Sequence, residues 1–176
     1  MILVKYLTIV IFRILEPFLS FGMIFAIIIA MNYIQVREVK IMRQIVVDQS
    51  KCTGCGLCEL ACSYENEKVY NPAKSRIKVE RVGMPAEAVV VACEQCIKAE
   101  CVDACPLNAI AENEETGAYV VDESICTGCG LCVEACPLDI IKIHPEKEVA
   151  MKCDLCNGNP KCIGRCPTGA LSLETH

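Results

Sequence analysis

The run at residues 126–137 has the spacing of a metal-binding loop. It reads Cys126-Thr-Gly-Cys129-Gly-Leu-Cys132-Val-Glu-Ala-Cys136-Pro137, with two, two and three residues between successive cysteines. Thiolates at this spacing are ligands of 4Fe-4S clusters, and the fourth cysteine of such a run serves a different cluster from the first three. The run therefore requires a second set of cysteines elsewhere in the chain.

Three further groups of four cysteines meet that requirement. In chain order, the first to fourth quartets are Cys52, Cys55, Cys58 and Cys62; Cys93, Cys96, Cys101 and Cys105; Cys126, Cys129, Cys132 and Cys136; and Cys153, Cys156, Cys162 and Cys166. The quartets contain all 16 cysteines of the chain. At four thiolates per cluster, the sequence predicts four 4Fe-4S clusters in an electron carrier.

Two other uses of cysteine were weighed against this one. A cysteine content this high is typical of disulfide scaffolds, but the close spacing would crowd four thiols into each loop. Zinc also binds cysteines two residues apart, although zinc sites usually combine two such pairs across a longer stretch. Three ligands from one loop and a fourth from a distant one favour a cubane cluster over both.

Charge and motif content argue against several classes of function. From residue 43 onward the chain has 13 Lys and Arg against 20 Asp and Glu, a formal charge of −7. Such a field disfavours nucleic acid and suits docking against basic patches on redox partners. The chain has no glycine-rich dinucleotide or phosphate loop, and its two histidines, His144 and His176, stand before a proline and at the last position. The pattern indicates an electron-transfer subunit and not an enzyme.

Residues 1–41 differ in character from the rest of the chain. The 20 residues 17–36 carry no charge and are long enough to cross a bilayer as one helix. A cleaved signal peptide is disfavoured, because no small-residue cleavage site follows the apolar run. Two interpretations stay open: a membrane anchor at 17–36, or a start codon assigned upstream of a true start at Met42.

The elements that must position the quartets are short. Runs of β-branched residues, or of alternating polar and apolar residues, predict strands. A helical turn at 59–62 should point Cys62 away from the other three cysteines of its quartet. Gly54 and Gly56 permit the backbone angles of a tight ligand loop. The repeated Cys-Thr-Gly-Cys-Gly-Leu-Cys at 52 and 126 indicates duplication of a two-cluster unit. The predicted strands are 44–48, 75–82, 88–92, 118–122, 140–143, 149–151 and 170–174.

The four quartets resemble those of the four-cluster ferredoxin-like subunits that serve molybdenum and tungsten oxidoreductases, including the iron-sulfur subunits of the dimethyl sulfoxide reductase type. The run from Cys52 to Arg81 is most similar to the small subunits associated with aldehyde ferredoxin oxidoreductases. The resemblance covers residues 43–174. Two departures stand out, because Ser63 replaces the proline of the other quartets and the apolar leader has no counterpart.

The resemblance implies an α+β fold of two ferredoxin-like two-cluster domains in tandem, after an N-terminal hydrophobic helix. The outer domain would combine residues 43–86 and 146–176, and the inner domain would hold residues 87–145. Paired quartets would exchange their fourth cysteines. The implied ligand sets are Cys126, Cys129, Cys132 and Cys105; Cys93, Cys96, Cys101 and Cys136; Cys52, Cys55, Cys58 and Cys166; and Cys153, Cys156, Cys162 and Cys62.

The implied function is electron relay to or from a molybdenum or tungsten catalytic subunit. Hydrogenase or formate dehydrogenase complexes are alternative partners. Soluble ferredoxin or a membrane redox subunit would exchange electrons with the other end of the relay. A zinc-binding structural module is a less favoured function. Because clusters are assembled under reducing conditions, a cytoplasmic location is expected, with 17–36 as an optional anchor to the cytoplasmic face of the membrane. Four basic residues beside ligands could favour reduced clusters, although an exposed surface position is expected for each: Lys51, Lys98, Lys152 and Arg165.

Overall fold

The computed structural model describes residues 42–83 and 87–175, which belong to one unit spanning residues 41–176. The apolar segment predicted at 17–36, with its choice between an anchor and an upstream start codon, lies outside the described residues. Within them, no helix combines the length and the hydropathy that crossing a membrane requires.

Eight short strands pair two by two into four antiparallel sheets among the described residues. Valine and isoleucine recur in most of them, as expected for small half-buried sheets. Strand β1 pairs with β8, β2 with β3, β4 with β5, and β6 with β7. The strands are β1 (Arg43–Val47), β2 (Lys78–Val82), β3 (Glu87–Val91), β4 (Ile110–Glu112), β5 (Tyr119–Val121), β6 (Lys142–Ile143), β7 (Ala150–Met151) and β8 (Leu171–Thr175).

Each quartet carries one helix, and the residue after its fourth cysteine sets the length of that helix. Three helices have four residues and end before a Cys-Pro pair, because proline cannot continue a helix and restricts the residue before it. Ser63 stands in that place in the first quartet, so the helical turn predicted at 59–62 becomes an 11-residue helix. The helices are α1 (Leu57–Glu67), α2 (Glu100–Asp103), α3 (Leu131–Glu134) and α4 (Lys161–Gly164), with 3-10 turns at Gln49–Lys51 and Pro72–Lys74.

Two apolar cores organise the described residues, and cysteines form part of both. One core packs Ile110, Ile140 and Ile141 with cysteines of the second and third quartets. The other packs Ile45 and Ile77 with cysteines of the first and fourth quartets. Partly buried Cys153 packs against both cores. Cysteines of the inner quartets thus share one apolar core and those of the outer quartets the other, while the tandem arrangement of two domains stays a prediction.

The predicted domain boundaries fall inside hairpins. Strand β3 follows the boundary at residue 86 yet pairs with β2 before it. Strands β6 and β7 lie on either side of the boundary at residue 145 and pair with each other. The division into 43–86 plus 146–176 and 87–145 stays a prediction, and the hairpins show that chain segments cross it.

A buried polar contact ties the end of α1 to the turn between β6 and β7. His144 is 2% exposed, and its Nδ1 accepts the backbone N–H groups of Glu146 (3.1 Å) and Lys147 (3.0 Å). Its Nε2 lies 3.2 Å from Glu67 Oε2, and Lys147 Nζ lies 3.1 Å from the same oxygen. Burial acts to raise the pKa of Glu67, but Lys147 and His144 outweigh it and hold that pKa below its ordinary value. The carboxylate therefore stays ionised where it joins the two elements.

Candidate metal centres

The loop carrying the first cysteines of every quartet contains the same backbone turn. The residue before the second cysteine has a positive φ in all four quartets, at Gly54 (67°), Gln95 (50°), Gly128 (65°) and Leu155 (56°). This left-handed conformation suits glycine and is uncommon for residues with a Cβ. In the first quartet it brings the N–H of Gly54 to 3.4 Å from Cys52 Sγ. The shared turn curls each loop around its own sulfur atoms.

Glycine is required by space as well as by φ at Gly54, where a Cβ would lie 2.7 Å from Ala88 Cβ, and more strongly at Gly128. A Cβ on Gly128 would overlap the carbonyl oxygen of Glu148 and lie 2.9 Å from its carbonyl carbon. Glu148 belongs to the turn before β7, and two residues later the N–H of Ala150 donates to Cys126 Sγ at 3.3 Å. The close approach at Gly128 thus lets the β6–β7 turn supply a hydrogen bond to a ligand sulfur.

The fourth cysteine of three quartets begins a second kind of turn. A proline follows, and the third residue after the cysteine has a positive φ: 50° at Asn108, 48° at Asp139 and 64° at Gly169. The next amide then points back at the sulfur, with Ala109 N 3.3 Å from Cys105 Sγ and Ala170 N 3.3 Å from Cys166 Sγ. The turns after Cys105 and Cys166 therefore give each of these sulfurs a backbone donor.

Cys62 obtains its donors differently, because the serine after it does not turn the chain. The N–H of Arg76 lies 3.2 Å from Cys62 Sγ, and Asn66 Nδ2 lies 3.8 Å away. Buried Ser63 donates to the carbonyl of Leu60 and accepts the N–H of Asn71, which fixes the segment that leads to Arg76. The departure at Ser63 thus changes the source of the hydrogen bonds and leaves the cysteine in place.

Three small cavities lie between the loops of the described residues, beside the third, fourth and first quartets in turn. Each is bordered by three cysteines of one quartet and the fourth cysteine of its paired quartet. In the same order, the bordering cysteines are Cys105, Cys126, Cys129 and Cys132; Cys62, Cys153, Cys156 and Cys162, with Cys93 beside them; and Cys52, Cys55, Cys58 and Cys166. The structure thus brings together the cysteines of three of the sets implied by the resemblance, and their role as ligands of those clusters stays a prediction.

The remaining set is Cys93, Cys96, Cys101 and Cys136, and the pKa of Cys101 shows which thiols lie near it. Burial raises the pKa of Cys101 to about 11, Lys152 opposes this rise, and Cys93, Cys136 and Cys96 add to it. Cys101 therefore lies among the three cysteines predicted to share its cluster. Within residues 42–83 and 87–175, no group of His, Cys, Asp or Glu side chains has the arrangement of a site for one metal ion.

The donors fit iron-sulfur clusters. Burial also raises the pKa of Cys58 to about 11 and that of Cys162 to about 12. A thiol in such surroundings stays protonated and unreactive at neutral pH, whereas metal coordination deprotonates it outright. Backbone N–H groups aimed at sulfur then stabilise the charge of the thiolate. Thiols that are paired across quartets, buried and supplied with amide donors are suited to holding a cluster.

The basic residues beside the ligands divide into two kinds. Lys51, Lys98 and Arg165 are exposed, as expected. Lys152 is 3% exposed, so the expectation of a surface position is wrong there. Its ammonium donates to the side chain of buried Gln95, a residue that no sequence motif identifies. In the sequence, a lysine between Met151 and Cys153 looks like any surface lysine. The cysteine spacing therefore does not predict that Lys152 is buried.

Family models match most of the described chain. Residues 84–176 match a 4Fe-4S dicluster domain, and residues 45–65 match a 4Fe-4S binding domain. The chain belongs to the 4Fe-4S dicluster family. The ferredoxin-like α+β fold and the iron-sulfur cofactor predicted from the quartets are thereby confirmed, and the sixteen cysteines of this dicluster protein fit four 4Fe-4S clusters.

Named relatives place the dicluster protein among electron-transfer subunits. The aliphatic sulfonate oxidoreductase polyferredoxin-like subunit of Pyrococcus furiosus is 45% identical over 122 residues, 69% of this chain and 70% of that one. The thiosulfate reductase electron transfer subunit PhsB of Salmonella typhi is 32% identical over 139 residues, 72% of each chain. A solved structure, the active site complex BamBC of benzoyl coenzyme A reductase as isolated, is 27% identical over 77% of this chain and 78% of that chain, with a TM-score of 0.47. The dicluster protein is an iron-sulfur electron-transfer subunit and not a catalytic one.

Proposed function

We propose that the dicluster protein relays electrons through four 4Fe-4S clusters to or from a molybdenum or tungsten catalytic subunit. The observation that carries this proposal is the exchange of fourth cysteines: three cavities each meet three cysteines of one quartet and one of its partner quartet. This arrangement keeps two clusters side by side within each pair, because the short segment from the third to the fourth cysteine of a quartet connects both sets. When bound, each cluster supplies a one-electron site whose potential depends on hydrogen bonds to sulfur, charge and exposure.

The ligand sets follow one another in a line. Cys129 and Cys55 are exposed, so the sets that contain them reach the surface. Cys93 and Cys153 belong to the other two sets and border a common cavity. The order is therefore the Cys129 set, the Cys93 set, the Cys153 set and the Cys55 set. Each end of this line has one exposed cysteine, which makes it accessible to redox partners, whereas the cysteines of the middle sets are buried or partly buried.

Backbone groups around the four ligand sets hold the cysteine sulfurs in position. Backbone donors fix the sulfurs of Cys62, Cys105, Cys126 and Cys166 at 3.2 to 3.3 Å. The net negative charge of the chain suits a partner whose docking surface is basic. A molybdenum or tungsten subunit is favoured by the resemblance of residues 52–81, and a hydrogenase or formate dehydrogenase is the alternative partner. The cytoplasm is the proposed location, with the apolar leader as its membrane link if that leader is present in the native protein.

Anaerobic purification of the native complex tests this function. The expected result is about sixteen irons per chain, four centres in redox titrations followed by paramagnetic resonance, and a copurifying subunit that contains molybdenum or tungsten. A colourless zinc-loaded protein would overturn the electron-transfer role. Four centres with a nickel-containing or differently loaded partner would retain that role and reject the molybdenum or tungsten assignment. Membrane washing with high salt, followed by detergent, separates a soluble protein from one anchored by its leader.

A further inference from the structure

The buried ammonium of Lys152 lies where the two pairs of ligand sets meet. Its Nζ donates to Gln95 Oε1 at 2.8 Å, to the carbonyl of Tyr119 at 3.0 Å and to that of Cys153 at 3.4 Å. It also lies 5.7 Å from the centroid of the Tyr119 ring. These partners accept all three protons of an ammonium group without supplying a negative charge. The site is therefore built for a cation.

No acidic side chain neutralises this cation within the described part of the chain, where none of the salt bridges involves Lys152. A buried charge is normally paired or bound to a metal, because desolvation without compensation is costly. The nearby groups that would become negative when a cluster is bound are ligand sulfurs: Lys152 Nζ donates to the backbone carbonyl of Cys153, and its charge also acts on Cys101. These two cysteines belong to the two sets in the middle of the proposed line.

The surrounding side chains hold the cation in place. Gln95, 1% exposed, accepts from Lys152 and from the N–H of Tyr119 (3.0 Å), while its Nε2 donates to the Cys153 carbonyl at 2.7 Å. Gln95 is the positive-φ residue of the second quartet loop, so the turn that shapes that loop also directs its amide toward Lys152. One hydrogen-bonded group thus links the loop of one middle set, strand β5 and a ligand of the other middle set.

We propose that Lys152 is the resident counter-charge of the two middle clusters and raises their reduction potentials relative to those of the two end clusters. Reduction adds one negative charge to a cluster, and a nearby cation in a water-poor site stabilises the more negative form. This inference rests on the proposed function, because it assigns a role within the line of four clusters. Exposed lysines beside other ligands act through water and have a much weaker effect.

Redox titration of the full complex, followed by paramagnetic resonance, tests the proposal with Lys152→Met. Two of the four midpoint potentials should fall, each by the equivalent of about tenfold in the one-electron equilibrium constant, or ~59 mV, while the other two stay unchanged. Lys152→Arg keeps the charge and should keep the potentials near those of the wild type. Lys98→Met is the matched control, because it removes an exposed lysine two residues after Cys96, and it should shift none of them.

A second variant covers the case in which Lys152→Met fails to load its clusters. Gln95→Glu retains Lys152 and places a carboxylate at the 2.8 Å contact, so it should lower the same potentials. Four unchanged midpoints in loaded Lys152→Met, or in loaded Gln95→Glu, would overturn the proposal, as would an equal shift in Lys98→Met. A wild-type protein without four reducible centres would instead reject the proposed function, so the two failures are distinguishable.

Discussion

Replacing Gly128 with alanine should destabilise the third quartet far more than the same change at Gly130. Both glycines lie in one loop with a positive φ, 65° and 83° respectively. The left-handed conformation alone costs an alanine about 1–2 kcal/mol. A Cβ at position 130 would have no atom within 4 Å, so that conformational term is the whole expected effect of Gly130→Ala.

Gly128→Ala adds a steric term. The new Cβ would overlap the carbonyl of Glu148, which is backbone and can yield only if the turn before β7 moves. Overpacking of this kind typically costs a further 1–3 kcal/mol, or roughly 2–5 kcal/mol in total. Movement of the turn would also withdraw the N–H of Ala150 from Cys126 Sγ. The substitution therefore weakens both the packing and a ligand hydrogen bond.

The assay is anaerobic bleaching of visible absorbance in a fixed concentration of guanidinium with an iron chelator. A difference of one kcal/mol or more corresponds to about fivefold or greater, so Gly128→Ala should bleach at least that much faster than Gly130→Ala. The iron content before the assay shows whether all clusters were loaded. If Gly128→Ala fails to load its clusters, that failure would also show that the substitution destabilises the third quartet. Equal bleaching rates for the two fully loaded variants would refute the steric argument.

Three further predictions concern ligands, pH and metal removal. Cys105→Ala and Cys126→Ala should abolish the same paramagnetic signal, while Cys101→Ala abolishes another; loss of one signal by both Cys101→Ala and Cys105→Ala would contradict the exchange. The folded-state pKa of Glu67 is lowered, so its stabilising effect is complete above its unfolded pKa of 4.5 and is lost as the pH falls through the folded value. Unfolding should therefore accelerate more for the wild type than for Glu67→Gln between about pH 5 and pH 3, and parallel profiles would argue against it. Chelation of all iron should unfold residues 42–175, since cysteines form much of both cores. Dispersed amide spectra of the iron-free chain would show instead that it folds without its clusters.

The ligand loops could be predicted from sequence because their determinants are local. Cysteine spacing, together with Gly54 and Gly56, defines a loop that closes on itself, and β-branched runs locate most strands to within a few residues. The short β4 was not predicted, because its residues Ile110–Glu112 lie in a polar stretch and pair only through contact with β5. The length of α1 was underestimated for a reason that the sequence does contain: Ser63 permits a helix that proline would end.

Other parts of the site depend on contacts between distant segments. Gln95 and Leu155 adopt the turn that glycine adopts in the other loops, and only their buried surroundings fix them there. Lys152 is 57 residues from Gln95 in sequence, so no periodicity connects them. The pairing of ligand sets came from family resemblance, since four equivalent quartets allow several pairings on spacing alone.

Helix α1 presents neighbouring sulfurs to different places, with Cys58 at one cavity and Cys62 at another. Because one helix supplies a ligand to each of these two sites, we expect the two clusters of the outer pair to be inserted together. In a cell short of iron, chains that hold only one cluster of that pair should then be rare compared with chains in which the pair is empty or complete.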